Sequence, residues 1–254
     1  MRSVARVALV PYRAGDPARD AAWGYVRGTL TLPVFEGDSD GEWSRSQALN
    51  RAAGSAGAWD VAYVTDADIV VPADQVERAV AVAYSTGRYT VARSHLGYLS
   101  EASTLELLAG GAPGPAEETA GFMWDGCFAV RRDRWDELGG FDERIQGYGG
   151  QGVAFAAAAG TLFGRERIDG PSWHLWHPPD PSRVEGIARN LERVDRYRAA
   201  DGDPDAIREL LGLPAGPAKV VIALSALDAI DISRRDDVFH ALHAVFVERH
   251  GQSE

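Results

Sequence analysis

Two kinds of apolar pattern alternate along the first part of the chain. Val4 to Val10 is a run of β-branched and small apolar residues that Pro11 and Gly15 stop, which predicts a buried strand. Ala21, Ala22, Tyr25 and Val26 then recur on one helical face up to Gly28, behind Asp16 as a cap and Pro17 in the first turn. Leu30 to Phe35 reads as a short strand carrying Pro33 and closed by the polar turn Glu36 to Glu42. Trp43 to Gly54 reads as a helix, and Val61 to Val64 as another buried strand. Strand, helix, strand, helix, strand predicts an α/β fold with a mostly parallel central sheet flanked by helices.

The rhythm continues more weakly. Val76, Val80 and Ala83 are in register inside a helix from Pro72 to Thr86, Val91 to Ala92 opens a strand, and Leu105 to Leu108 lies in a helix. Gly110 to Glu118 is rich in Gly and Pro and reads as a loop. Phe128 to Val130 is a strand leading into a helix, Arg134 to Leu138, which Gly139 and Gly140 end; Val153 to Ala159 is a helix of small residues. Beyond Pro178, Pro179 and Pro181 the pattern turns to charged helix, from Ser182 to about Ala200 and from Asp205 to Leu211, followed by an amphipathic stretch from Lys219 to His250. We expect an α/β domain over residues 1–178 and a helical C-terminal extension over 179–254 packed on it.

Composition narrows the function classes. With 254 residues, 45% of them hydrophobic and 25% charged, the chain can bury a full core. A net charge of -11 argues against a broad phosphate-tracking surface, and so against nucleic acid, but leaves room for a local basic pocket. Cys127 is the only cysteine, which excludes an intramolecular disulfide and any cysteine-cluster metal site and suits a reducing cytosol. Lys219 is the sole lysine in an Arg-, Ala- and Gly-heavy chain, a bias that points to a GC-rich genome. The apolar run before Pro11 is too short for a signal sequence, and Gly152 to Phe163 falls well below the ~20 residues that span a bilayer. A cytoplasmic protein without membrane insertion is the expectation.

Three stretches carry chemistry. Tyr63 to Val70 is an apolar strand that ends in Asp66-Ala67-Asp68, two carboxylates able to reach a crevice at a strand's carboxyl end, where Mg²⁺ or Mn²⁺ finds oxygen ligands; two such acids also make an ordinary turn. In Trp173-His174-Leu175-Trp176-His177-Pro178 two imidazoles stand three residues apart and can aim at one point, and imidazole suits Mn²⁺ better than Mg²⁺; two hydrogen-bonded histidines in an aromatic belt is the plainer alternative. His240, His243 and His250 follow helical spacing and read as a solvated face. The third stretch runs Trp124-Asp125-Gly126-Cys127-Phe128-Ala129-Val130, then Gly139-Gly140-Phe141-Asp142-Glu143, then Gly147-Tyr148-Gly149-Gly150-Gln151. Nothing basic flanks Cys127, so it reads as a small packed hydrophobe and not as a nucleophile.

Taken in order from Arg6 to His177, these stretches resemble glycosyltransferases of the GT-A fold, especially the galactosyltransferase-like group that includes β-1,4-galactosyltransferases and polypeptide N-acetylgalactosaminyltransferases. Pro11-Tyr12-Arg13 looks like that family's Pro-Phe-Arg turn beside the nucleotide, and Trp43 to Asn50 is similar to its Phe-Asn-Arg-x-x-x-Leu-Asn segment, whose first residues line base and sugar. The resemblance implies a donor site of Pro11, Tyr12, Arg13, Trp43, Arg45, Asn50, Asp66 and Ala67. It implies a metal site of Asp66, Asp68, His174 and His177, with Asp68 the direct carboxylate ligand and Asp66 touching the ribose or orienting the metal shell. The implied cofactor is Mn²⁺ or Mg²⁺, the implied donor a nucleoside diphosphate sugar with UDP-sugars favoured, and the acceptor a hydroxyl compound the sequence does not name.

The sequence also departs from the family. Its Trp-Gly-Gly-Glu-Asp stretch supplies an acidic pair that binds acceptor and, in inverting members, the general base; here it stands as Tyr148-Gly149-Gly150-Gln151-Gly152. An amide and a bare backbone cannot take up a proton. Asp125, where the family has Gly, is a new carboxylate close by, and turn aspartate is its plain alternative. The candidate catalytic residues are therefore Asp125, Gln151 and Asp142, with the leaving phosphate as another proton acceptor. A catalytically impaired module that binds a sugar nucleotide or glycan is the main rival; the loop of a sugar nucleotidylyltransferase and the motif of an aspartate-nucleophile phosphatase do not match.

Overall fold

In the first strand, alternate side chains go to opposite sides of one sheet: Val7 and Leu9 to one apolar cluster, Ala8 to another. The computed structural model describes residues 3–114, 116–120, 125–179 and 183–214. Its elements in chain order begin β1 (Arg6–Pro11), α1 (Pro17–Thr29), β2 (Val34–Gly37), α2 (Arg45–Ser55), β3 (Val61–Val64), β4 (Ile69–Val70), α3 (Ala73–Thr86), β5 (Tyr89–Val91) and β6 (His95–Tyr98). They continue α4 (Glu101–Leu108), β7 (Glu118–Ala120), β8 (Phe128–Arg131), α5 (Arg132–Leu138), α6 (Gln151–Phe163), β9 (Arg165–Arg167), β10 (Pro171–His174), α7 (Arg183–Ala199) and α8 (Pro204–Leu211). Met1–Pro214 forms one unit and Ala215–Glu254 a second; the expected helix from Lys219 to His250, with His240, His243 and His250, lies outside the described residues, as does Trp124.

A six-stranded sheet has the order β2-β1-β3-β8-β5-β9. Its β1–β2, β1–β3 and β5–β9 pairs are parallel, and only β8 runs against its neighbours. This is the expected mixed α/β fold with a mostly parallel central sheet. Alternation holds on every central strand: Ala62 and Val64 face one layer while Val61 and Tyr63 face α3; Phe128 and Val130 face α6 while Ala129 faces α3. The layer on the α6 side is aromatic, with Phe155 stacked on Phe141 at 4.4 Å and on Phe128 at 5.2 Å between ring centres.

Local chemistry sets the boundaries. Asp16 caps α1 by accepting from the amides of Ala18 and Arg19 at 3.0 Å each, and Ser44 caps α2 through the amide of Gln47. The strand expected from Leu30 starts at Val34 instead, because Pro33 has no N–H to give; its carbonyl accepts from Ala8. A second sheet, β4-β10-β6-β7, has no counterpart in the apolar pattern, since its strands are two to four residues long and carry Pro, Gly and His. That sheet positions the site.

Candidate functional site

β3 ends at Val64 in the middle of the sheet, and the chain that leaves it carries Asp66 and Asp68 before turning back as β4. β10 zips antiparallel onto β4, with His174 opposite Ile69 and Trp173 opposite Val70, and the amide of Leu175 donates to the main-chain oxygen of Asp68 at 2.8 Å. This register brings His174 beside Asp68. His177 follows after a turn that the Trp176 amide ties to Thr104 Oγ1 at 2.9 Å. His174 Nε2 lies 3.7 Å and His177 Nε2 3.2 Å from the Asp68 carboxylate oxygens. One ligand atom from each of the three residues falls within 4.8 Å of the others. All three side chains are mostly buried.

The electrostatics fit a cation site. Burial pushes the Asp68 carboxyl up, but His174, His177 and, further out, Arg19 outweigh it and hold the group at about 2, so it is ionised. The hydrogen bond to Asp68 pushes His177 up against its burial. His177 Nδ1 lies 2.8 Å from the Pro178 carbonyl oxygen; with Nδ1–H given there, Nε2–H bonds Asp68 while the ring is charged, and loss of that proton would free the Nε2 lone pair for a cation held beside Asp68. One carboxylate and two imidazoles suit a transition ion such as Mn²⁺, so the donor set fits the implied metal.

Asp66, expected in the metal site, is not part of that triad: its Oδ1 accepts from Arg45 Nε at 2.7 Å, which turns the carboxylate to the guanidinium. Arg45 also stacks on Phe141, its Cζ 5.4 Å from the ring centre, and leaves a buried Nη2 without a partner. Beside this pair stands Asp125. Burial pushes its carboxyl up, Arg45 and Arg93 pull it back, and Asp66 adds to the rise. Cys127 is fully buried at the start of β8, its Sγ 3.2 Å from Thr65 Oγ1, and burial pushes the thiol up, as for an inert core residue.

The other expected donor residues are placed along the same edge, mostly in contacts within the chain. Pro11 ends β1 opposite Gly37, Ala67 packs against the cluster around Val10 and Trp23, and the Tyr12 hydroxyl donates to Asp20 at 2.8 Å, its pKa pushed up to about 12 by burial and that carboxylate. Arg13 binds Asp38 and the main chain of Gly41 and Ser39 and lies over the Trp43 ring at 5.4 Å, bracing residues 38–43. Asn50 is turned away to the main chain of Phe141, which it holds through Nδ2 to O at 2.9 Å and N to Oδ1 at 2.8 Å.

Of the remaining catalytic candidates, Gln151 is 4% exposed and its Nε2 donates to the Gly147 carbonyl at 2.7 Å. Asp142 is nearly buried and saturated: it accepts from Arg144 Nε at 2.7 Å, Arg193 Nε at 2.6 Å and the Tyr197 hydroxyl at 2.9 Å, which ties the Gly139–Ile145 turn to α7. Against burial, these donors hold its carboxyl below the usual carboxylate range. A carboxyl depressed in the folded state stabilises it above the unfolded pKa of about 3.9, and the contribution is lost as pH falls through the lower native value. Urea unfolding from pH 6 to 3 should therefore show wild-type stability falling below about pH 4 more steeply than that of Asp142→Asn; parallel slopes would remove Asp142 as the cause.

Sequence reasoning missed Arg93, Arg19 and the Tyr98 ring, 5.0 Å from that of His174. In a chain so rich in arginine no local pattern marks the first two, and Tyr98 lies on a strand without apolar alternation.

A family model, the CoxE N-terminal helical bundle domain, matches residues 206–254. No curated protein matches the chain. Among solved structures, the chain is similar to the catalytic domain of Drosophila beta-1,4-galactosyltransferase 7 in complex with xylobiose, at 15% identity and a TM-score of 0.41, spanning 65% of each chain. It is similar to glucosyl-3-phosphoglycerate synthase from Mycobacterium tuberculosis in complex with Mn²⁺, UDP and glucosyl-3-phosphoglycerate, at 14% identity over 84% of this chain and 82% of that one, TM-score 0.41. It is also similar to the mannosyltransferase PcManGT from Pyrobaculum calidifontis in complex with GDP-Man and Mn²⁺, at 14% identity over 82% of this chain and 68% of that one, TM-score 0.43.

Proposed function

We propose that this chain is a metal-dependent glycosyltransferase that moves a sugar from a nucleoside diphosphate sugar, a UDP-sugar by preference, to an acceptor hydroxyl. The observation that carries the reading is the convergence of Asp68, His174 and His177, from two distant segments, at the carboxyl end of β3. Asp68 and both imidazoles would hold Mn²⁺, which when bound supplies Lewis-acid stabilisation of the charge that grows on a departing diphosphate. Arg45, fixed by Asp66 and with one buried nitrogen unused, offers a further positive charge on the same side. Arg13 and Trp43 stiffen the rim of residues 38–43 on which a nucleoside would rest.

A thermal-shift panel of UDP, GDP, CMP and TDP sugars, each with and without Mn²⁺, tests this. One nucleotide should stabilise the protein, and only with metal. Saturation at 100 times Kd contributes about 2.7 kcal/mol, or about 5–10 °C for a domain of this size. Absence of any metal-dependent shift, together with no free diphosphate from any donor, would refute the reading.

A further inference from the structure

Arg93 follows β5 and is 1% exposed, yet no carboxylate pairs with it among the described residues. Its Nη2 donates to the main-chain oxygen of Asp125 at 2.9 Å, and its Nε and Nη1 are buried without a hydrogen-bond partner. The guanidinium lies close against Gly126: a Cβ there, where φ is +87°, would stand 3.1 Å from Nη2. Arg93 thus grips the main chain at Asp125–Gly126, and glycine at 126 is what allows the approach.

The Asp125 side chain then lies over Gly152. A Cβ on Gly152 would meet Asp125 Cβ at 2.7 Å, Oδ2 at 3.1 Å and Cγ at 3.3 Å, so the Asp125 carboxylate fills the space in which a side chain from position 152 would begin. Among the described residues no other side chain bonds that carboxylate, whereas the Asp142 carboxylate is saturated and the Gln151 amide is committed to Gly147. Of the three candidates, Asp125 is the one whose proton-accepting carboxylate no described side chain occupies.

The geometry points to Asp125 as the group that takes the proton from the acceptor hydroxyl, with Arg93 as the positioning residue that seats its carboxylate over Gly152. Given glycosyl transfer at this site, on which the inference rests, the acceptor O–H bond breaks and its proton passes to an Asp125 carboxylate oxygen. The oxygen's electron pair forms the new bond to the anomeric carbon, and the pair of the breaking C–O bond leaves on the diphosphate. Asp125 afterwards releases the proton to solvent. Such a single displacement inverts the anomeric configuration. The charges that face Asp125 are Arg45 from α2, Arg93 after β5 and Asp66 after β3, with the Tyr89 phenol of β5 close by.

The full chain is tested with Mn²⁺ and UDP-galactose or UDP-glucose, water serving as the acceptor and free UDP as the readout. Asp125→Asn should lower turnover by about 10²-fold or more and leave the Mn²⁺/UDP thermal shift unchanged. Arg93→Met should lower kcat at unchanged KM for the donor and move the acid limb of the pH–rate profile upward, and Arg93→Lys should restore the limb; a merely packing role would shift only Tm. Because Arg93 variants risk misfolding, a relocation decides independently: Asp125→Gly loses turnover, and adding Gly152→Asp recovers at least about 10-fold of it. Full turnover in Asp125→Asn, or a retained anomeric configuration in the released sugar, would overturn the inference while leaving the glycosyltransferase reading standing. A wild-type protein that releases no UDP from either donor and shows no metal-dependent shift would overturn both.

Discussion

Replacing Asp68 by Asn is expected to cut the proposed sugar transfer by about a thousand-fold and to erase the stabilisation by Mn²⁺ expected of the wild type. The magnitude follows from the several kcal/mol that a metal contributes to a developing oxyanion, at about 1.4 kcal/mol per factor of ten. The neutral amide keeps the size of the carboxylate but not its charge, and Asp68 is the only carboxylate in the triad with His174 and His177. The main-chain oxygen of Asp68 still accepts from Leu175, so the β4–β10 pairing has no reason to open. Thermal melts with increasing Mn²⁺ check this directly. An Asp68→Asn protein whose melting temperature climbs with Mn²⁺ as the wild type's does would place the metal elsewhere.

Removing the ring of Phe155 should be among the most destabilising truncations in the described core. Phe155 is 4% exposed and is stacked against Phe141 and Phe128, with Trp135 at 5.5 Å and Tyr89 at 6.2 Å between ring centres. Five rings from β5, β8, α5, α6 and the turn after α5 meet there, and such packing leaves little freedom to collapse into a void. Phe155→Ala is expected to cost about 3–5 kcal/mol, a large part of the 5–15 kcal/mol that usually holds a domain together, and to lower Tm by about 6–20 °C. Urea unfolding measures it; a loss below about 1 kcal/mol would mean that the rings do not pack as described.

Strong periodicity made the central sheet legible. β1, β3 and β8 are continuous apolar runs because both of their faces are covered; the Asp16 cap of α1 was legible too, whereas Ser44 before α2 and Gly87 after α3 emerge as caps in the structure. The small sheet was hidden, since two- to four-residue strands at an edge need no apolar pattern; a ladder partner defines them. The convergence of Asp68, His174 and His177 followed from spacing and resemblance, whereas the geometric reason for it, the β4–β10 register, did not. Charge alone does not distinguish the three carboxylates: Asp66 is paired with Arg45, Asp142 is filled by Arg144 and α7, and among the described residues no side chain bonds the Asp125 carboxylate. That difference depends on tertiary neighbours, which one arginine among many does not announce.

The antiparallel ladder between Ile69–Val70 and Trp173–His174 is only two residues long. A contact so short cannot hold the two segments together by itself, yet the histidines reach Asp68 only when it is made. The four-residue pairing of β10 with β6 seats that strand from its other side, and an ion gripped by all three side chains would act as a rivet that locks the rear of this domain to its front at Asp68.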